Sequence, residues 1–141
     1  MRLVLATFVI LGATAPLQAD VSAPAPAGLR WRTDAAAAEK EAAKAHRPLL
    51  VFFSAEWCMP CKEMLVKSFA DPAVADLIAR RFVPLLVDVT NDDAPSTALR
   101  DRFHVLALPT MVVRRGSEER LRQESFLPAA ELRGALERVA R

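Results

Sequence analysis

Two cysteines stand in this chain of 141 residues, Cys58 and Cys61, three positions apart in Trp57-Cys58-Met59-Pro60-Cys61-Lys62. A thiol pair at that spacing can close to a disulfide and exchange with other disulfides. It can also be half of a zinc site, or join Met59 in a soft-metal site for Cu(I). Zinc needs four ligands, yet there is no second cysteine pair, and the two histidines, His46 and His104, are isolated in the sequence. Met59 serves equally well as part of an apolar rim. A structural role is weaker still, because a disulfide across so short a loop constrains the unfolded chain little. Disulfide-stapled small folds also use more cysteines at wider spacing. The reading is therefore a redox-active Cys58–Cys61 pair, with no metal and no other cofactor.

That chemistry needs the pair at a particular place. Residues 49–53, Leu-Leu-Val-Phe-Phe, form a continuous apolar run, as expected of a strand buried on both faces. A turn and a helix to about residue 69 follow, which puts Cys58 at a helix N-terminus. Unpaired backbone N–H groups there stabilise an anion, and a thiolate is that anion. Cys61 lies one turn further on, where it can attack a mixed disulfide formed at Cys58 and release the partner. Pro60 fits the first helical turn, where its missing N–H costs nothing. Trp57 can shield one side of the sulfur and offer a flat apolar contact.

The other elements are read from periodicity and caps. Residues 20–29 form a loose leader rich in Ala and Pro. Residues 31–33 are expected as a short first strand. Thr33 or Asp34 caps a helix over 35–45, ended by His46-Arg47-Pro48. Asp71-Pro72 starts a helix with Val74, Leu77, Ile78 and Phe82 on one face. Residues 82–89 form a second buried strand, 90–93 a polar turn and 94–103 a helix. Residues 105–109 are an extended loop. Residues 110–114 and 121–126 form a hairpin around Gly116, with the charges at 114–120 as its solvated tip. Pro128 opens a last helix presenting Leu132, Leu136 and Val139. Asp88, Thr90 and Asp92 have the spacing of a calcium loop, but Asp93 and Leu99 stand where its glycine and final glutamate belong, so a capped turn is preferred. The pattern predicts one α/β domain over 30–141, a central mixed β-sheet flanked by helices on both faces.

Charge is nearly balanced, 19 Lys and Arg against 17 Asp and Glu, which gives no electrostatic basis for nucleic-acid binding. Residues 1–19 have the three parts of a secretory signal peptide: Arg2, an apolar run over 3–13, and small residues ending at Ala19. The run is short of the roughly 20 residues of a membrane span. A cleaved signal, no span in the mature chain, and a periplasmic location in an oxidising compartment are expected.

Trp57-Cys58-x-x-Cys61-Lys62 after a buried strand, with Leu108-Pro109-Thr110 about fifty residues on, resembles the thioredoxin family. Ser68-Phe69-Ala70-Asp71-Pro72 and Asp88-Val89-Thr90-Asn91-Asp92-Asp93-Ala94 narrow the likeness to the C-terminal periplasmic thioredoxin-like domain of the DsbD group of thiol:disulfide interchange proteins. The resemblance implies a thioredoxin-like fold in which Cys58 attacks and Cys61 resolves. Pro109 would be a cis-proline opposite the cysteines. Backbone near Leu108 would pair with an extended substrate segment. Trp57, Met59, Pro60, Leu108, Pro109 and Thr110 would contact the substrate. The partners implied are disulfide-bearing envelope proteins and a membrane thiol electron donor.

Three departures bear on the chemistry. The family's buried acid six residues before the first Cys is here Phe52, and the DsbD-group acid seven residues after it is Leu65. Their loss removes two negative charges that would oppose a thiolate, along with a buried proton acceptor, leaving water, the substrate or Glu56 for that task. The membrane electron carrier of DsbD is absent from this chain, so a separate donor is expected. A reductase of envelope disulfides is the leading expectation, from Pro60 as second intervening residue and the apolar Leu108. A disulfide-forming or isomerising enzyme, favoured by Phe52 and Leu65, is the alternative. A Cu(I) carrier comes third.

Overall fold

The structure, a computed structural model, describes residues 28–140. The signal-like segment 1–19 and all but the end of the leader lie outside the described residues. Within them, Leu29 already packs against the core.

Asp34 caps the first helix, α1 (Ala35–Ala45), by accepting from the Ala37 N–H at 2.9 Å. His46 ends it in the left-handed region at φ 53°. The central strand β1 (Leu49–Ser54) is buried along its whole length. α2 (Met59–Glu63) runs on into a wide π-helical segment, Met64–Phe69, so the expected helix to residue 69 is one element of two pitches. The Asp71 carboxylate accepts from the Ala73 and Val74 N–H groups and starts α3 (Pro72–Arg81). Then follow β2 (Val83–Asp88), α4 (Ala94–Arg102), β3 (Thr110–Arg115), β4 (Glu118–Gln123) and α5 (Ala129–Val139).

The sheet order is β2-β1-β3-β4, with β1 parallel to β2 and the other pairings antiparallel. Successive side chains of β1 point to opposite faces. Phe52 meets Trp31 and Phe69 on one face, and Phe53 meets Phe103, just after α4, on the other. Helices cover both: α3 packs on α5 and the π-helical segment, while Glu39 of α1 pairs with Arg102 of α4. This is the mixed sheet with two helical layers that the sequence predicted.

Two strand expectations are corrected. Residues 31–33 do not form a strand: Arg32 alone bridges to Leu85, through its N–H to Pro84 O and its carbonyl to Leu86 N, both at 2.9 Å. Asp34 caps α1 only two residues later, which leaves no length for a ladder. β4 begins at Glu118, not at 121, because the charges read as a hairpin tip are strand residues on the sheet's exposed edge. An edge strand tolerates charge, which discourages pairing with another chain. The turn shrinks to residues 116–117, with Gly116 at φ 61°, a conformation that favours glycine.

Candidate active site at the end of β1

β1 and the start of β3 converge at one end of the sheet, where Phe53 pairs with Thr110. The chain leaves β1 there for the cysteines and enters β3 there from the loop holding Pro109. Cys58 is the N-cap of α2. Its N–H donates to Ala55 O at 3.1 Å, and its Sγ accepts from the Cys61 N–H at 3.3 Å. Sulfur thus stands where a capping oxygen usually stands, and the same N–H stabilises a thiolate at that sulfur once the pair is reduced. Pro60 lies within the first two positions of the helix, as its missing N–H allows.

Cys58 and Cys61 are joined by a disulfide. Cys58 keeps 5% of its surface, and Cys61 none. An incoming sulfur can therefore reach only Cys58, and Cys61 is sealed behind it.

Around this opening stand Trp57 and Met59, each 65% exposed, although large apolar side chains elsewhere are mostly buried. Leu108 is half-buried against the core, joined to the buried Pro109 by a cis peptide bond. Leu106, two residues earlier in the same loop, is 91% exposed and projects instead. Sequence reading missed Leu106, because a loop residue has no periodicity to reveal which way it points. Thr110 is fully buried, and its hydroxyl donates to Ala107 O at 2.8 Å, so it braces the proline loop from within.

Phe52, at the position of the family's acid, is fully buried. Its ring is 4.8 Å from that of Phe69 and 6.0 Å from that of Trp31, and the latter two are 5.0 Å apart. Leu65, at the other acid position, lines a groove of about 180 Å³ with Ser54, Glu56, Lys62, Leu86 and Asp88. Glu56 therefore reaches the space that an acid at position 65 would face. Asp88 does too, and sequence reading had given it no part in the site.

Asp88 has a further task. Its Oδ1 accepts from the Thr90 N–H at 2.8 Å and from the Thr90 hydroxyl. The Thr90 Oγ1 in turn accepts from the Glu56 N–H at 2.9 Å, and its carbonyl accepts from the Trp57 indole at 3.4 Å. The polar turn after β2 is thus the brace of the segment leading into Cys58. The rest of that turn caps α4: the Ser96 N–H donates to Asp93, which holds the Asp93 carboxyl below the usual carboxylate range. Asp92 pairs with Arg100 at 2.6 Å, which leaves these acids tied to the fold.

Replacing Thr90 by Val keeps the shape but removes the acceptor for Glu56 N. We expect a loss of about 0.5–1.5 kcal/mol in urea unfolding, the net worth of a hydrogen bond whose donor water can reach. The initial rate of reduction of a model protein disulfide should also fall, because the segment before Cys58 loosens. An unchanged rate in a destabilised Thr90→Val variant would show that the brace serves stability alone.

Residues 35–140 match the family model of the thioredoxin-like domain. Among curated proteins, the thiol:disulfide interchange protein DsbD of Salmonella typhi is 34% identical over 115 residues, covering 77% of this chain and 20% of its own length. The DsbD of Vibrio vulnificus strain CMCP6 is 41% identical over 70 residues, covering 50% of this chain and 12% of its own length. The chain thus spans a fifth or less of the length of these relatives. Among solved structures, a thioredoxin from Thermus thermophilus superposes with TM-score 0.70 at 32% identity, covering 79% of this chain and 87% of that one. The reduced C-terminal domain of Neisseria meningitidis DsbD superposes with TM-score 0.64 at 27% identity, covering 73% and 91%. With a matching domain over nearly all its described residues and a cysteine pair at the mouth of α2, the chain belongs to the thioredoxin-like family.

Proposed function

We propose that the protein reduces disulfides of periplasmic proteins through Cys58 and Cys61, using electrons from a separate membrane thiol donor. The observation that carries this reading is the asymmetry of the pair, an accessible Cys58 backed by a sealed Cys61 and flanked in the chain by the exposed Trp57 and Met59. In the reduced enzyme the Cys58 thiolate attacks a substrate disulfide. The substrate S–S bond breaks, a mixed disulfide forms, and the departing sulfur takes up a proton. The Cys61 thiol loses its proton and attacks Cys58, which releases the second substrate sulfur as a thiol. Two electrons have then left the enzyme, and the donor's dithiol restores them by the same exchange in reverse. Trp57, Met59 and Leu106 form the apolar contact for the substrate segment, and backbone beside Leu108 pairs with it. The pattern of residues 1–19 supports export.

The direction is supported by what lies beside Cys58. Pro60, not a histidine, occupies the second intervening position, and His46 and His104 line clefts at the other end of the sheet. No imidazolium stabilises the thiolate, which keeps the disulfide from being strongly oxidising. The opposite reading, a disulfide-forming or isomerising enzyme, draws on the burial of Phe52 where an acid would oppose the thiolate. Equilibration against glutathione separates them. A potential near about −270 mV is expected, and one near about −120 mV would overturn the reductive reading.

A further inference from the structure

Of the four methionines in the chain, Met1 lies outside the described residues, and the other three fall into two kinds. Met64 and Met111 are fully buried, while Met59 is 65% exposed. Met64 opens the π-helical segment that follows Cys61, and Met111 lies in β3 opposite Phe52 of β1. Met59 is the first residue of α2, directly after Cys58 and before Cys61 in the chain.

A thioether takes one oxygen from a peroxide or a hypohalous acid and becomes a sulfoxide. A sulfur that solvent cannot touch reacts only when the structure opens locally. The core therefore shields Met64 and Met111, and nothing comparable covers Met59. Nor do the cysteines compete for oxidant in the oxidised protein. Cys58 and Cys61 are joined to each other, so neither offers a thiolate. Among the described residues, Met59 is then the one exposed sulfur that an oxidant can convert.

Position gives that conversion a consequence. A sulfoxide turns a flexible apolar side chain into a polar, chiral one. In the core this would disturb packing, but a side chain as exposed as Met59 holds little of the fold together. What it removes is apolar surface next to Cys58, the sulfur that an incoming segment has to reach. An unbranched thioether suits such a surface because it conforms to varied partners, and the polar sulfoxide forfeits that.

We propose that Met59 is a modification site: oxidation by a peroxide or a hypohalous acid weakens docking at the redox pair, and reduction of the sulfoxide restores it. With hydrogen peroxide, the Met59 sulfur attacks one oxygen, the O–O bond breaks and an S–O bond forms. The departing hydroxide takes the proton of the transferred oxygen and leaves as water. Sulfur loses two electrons and the peroxide gains two. A sulfoxide reductase returns the thioether with two electrons from a dithiol and releases water. This rests on the reading that Met59 contacts the substrate segment, and it does not depend on the direction of electron flow.

The test treats the purified oxidised protein with dilute hydrogen peroxide and maps it by peptide mass spectrometry. A gain of one oxygen is expected at Met59, with Met64 and Met111 unmodified. Single-turnover exchange with a peptide dithiol whose cysteines have apolar neighbours is then followed at several peptide concentrations. The half-saturating concentration should rise about fivefold with little change in the limiting rate, as when a contact made equally in ground and transition states is lost. Methionine sulfoxide reductases acting on both epimers, followed by reoxidation of the cysteine pair, should restore the original value. A peptide with serines in place of the apolar neighbours should respond little. Met59→Leu, compared with itself before and after peroxide, should not respond. Modification of Met64 or Met111 as fast as Met59, an unaltered half-saturating concentration, or an equal response in Met59→Leu overturns the proposal. An untreated protein that exchanges no disulfide overturns the reading beneath it as well.

Discussion

Cys58→Ser should reduce a model protein disulfide no faster than the uncatalysed background, while Cys61→Ser should attack once and stall. The two sulfurs differ in reach. Cys58 is the one with surface, and its Sγ faces the Cys61 N–H that stabilises a thiolate. With serine at 58, the remaining thiol is sealed, so no mixed disulfide forms. With serine at 61, the first exchange proceeds, but nothing sits behind Cys58 to displace the partner. The adduct should survive non-reducing electrophoresis and identify substrates by mass spectrometry. Adducts trapped by Cys58→Ser through Cys61 would reverse the roles, and no adduct from either variant would sink the exchange mechanism. Neither change should cost much stability, since the disulfide spans only three positions.

The second large effect concerns Phe52. Placing the family's acid there, as Phe52→Asp, should not restore an acid's role but should unfold the protein at neutral pH. The ring is fully buried between Trp31 and Phe69, and losing such a ring alone costs about 3–5 kcal/mol. A carboxylate in its place adds an ion without a partner. Such a carboxyl is driven to its neutral form, so its folded-state pKa lies above the unfolded one. The variant's stability should therefore be greatest in acid and fall as pH rises through the raised folded-state value. Urea unfolding of Phe52→Asp and Phe52→Leu across pH checks this: the leucine variant should lose less and show no such dependence. An aspartate variant as stable as the native protein at neutral pH would mean that water or a polar partner reaches this site.

The edge strand shows where local reading fails. Glu118, Glu119 and Arg120 look like a solvated turn because their charges outweigh any strand pattern, yet Glu118 and Glu119 pair with β3 and Arg120 is the bulge residue before Leu121. Hydrogen bonding to a neighbouring strand, not side-chain alternation, decides an exposed edge. The same limit explains Leu106 and Leu108. Both are leucines in one loop, and only the path of the backbone into β3 turns one outward and the other onto the core.

By itself the sequence determined the pair and its setting. A run of five apolar residues must be buried, a proline belongs in a first helical turn, and cysteines three apart share one side of a helix; these are local constraints. It also determined the cap at Asp71 and the alternation that makes a mixed sheet, while the choice of Asp34 over Thr33 as the first cap came from the structure. Tertiary structure alone decided which cysteine is reachable, that Phe52 closes its site with Trp31 and Phe69, and that Thr90 braces a segment 34 positions earlier in the chain. Such juxtapositions depend on how helices lie on the sheet, and no spacing within the chain encodes them.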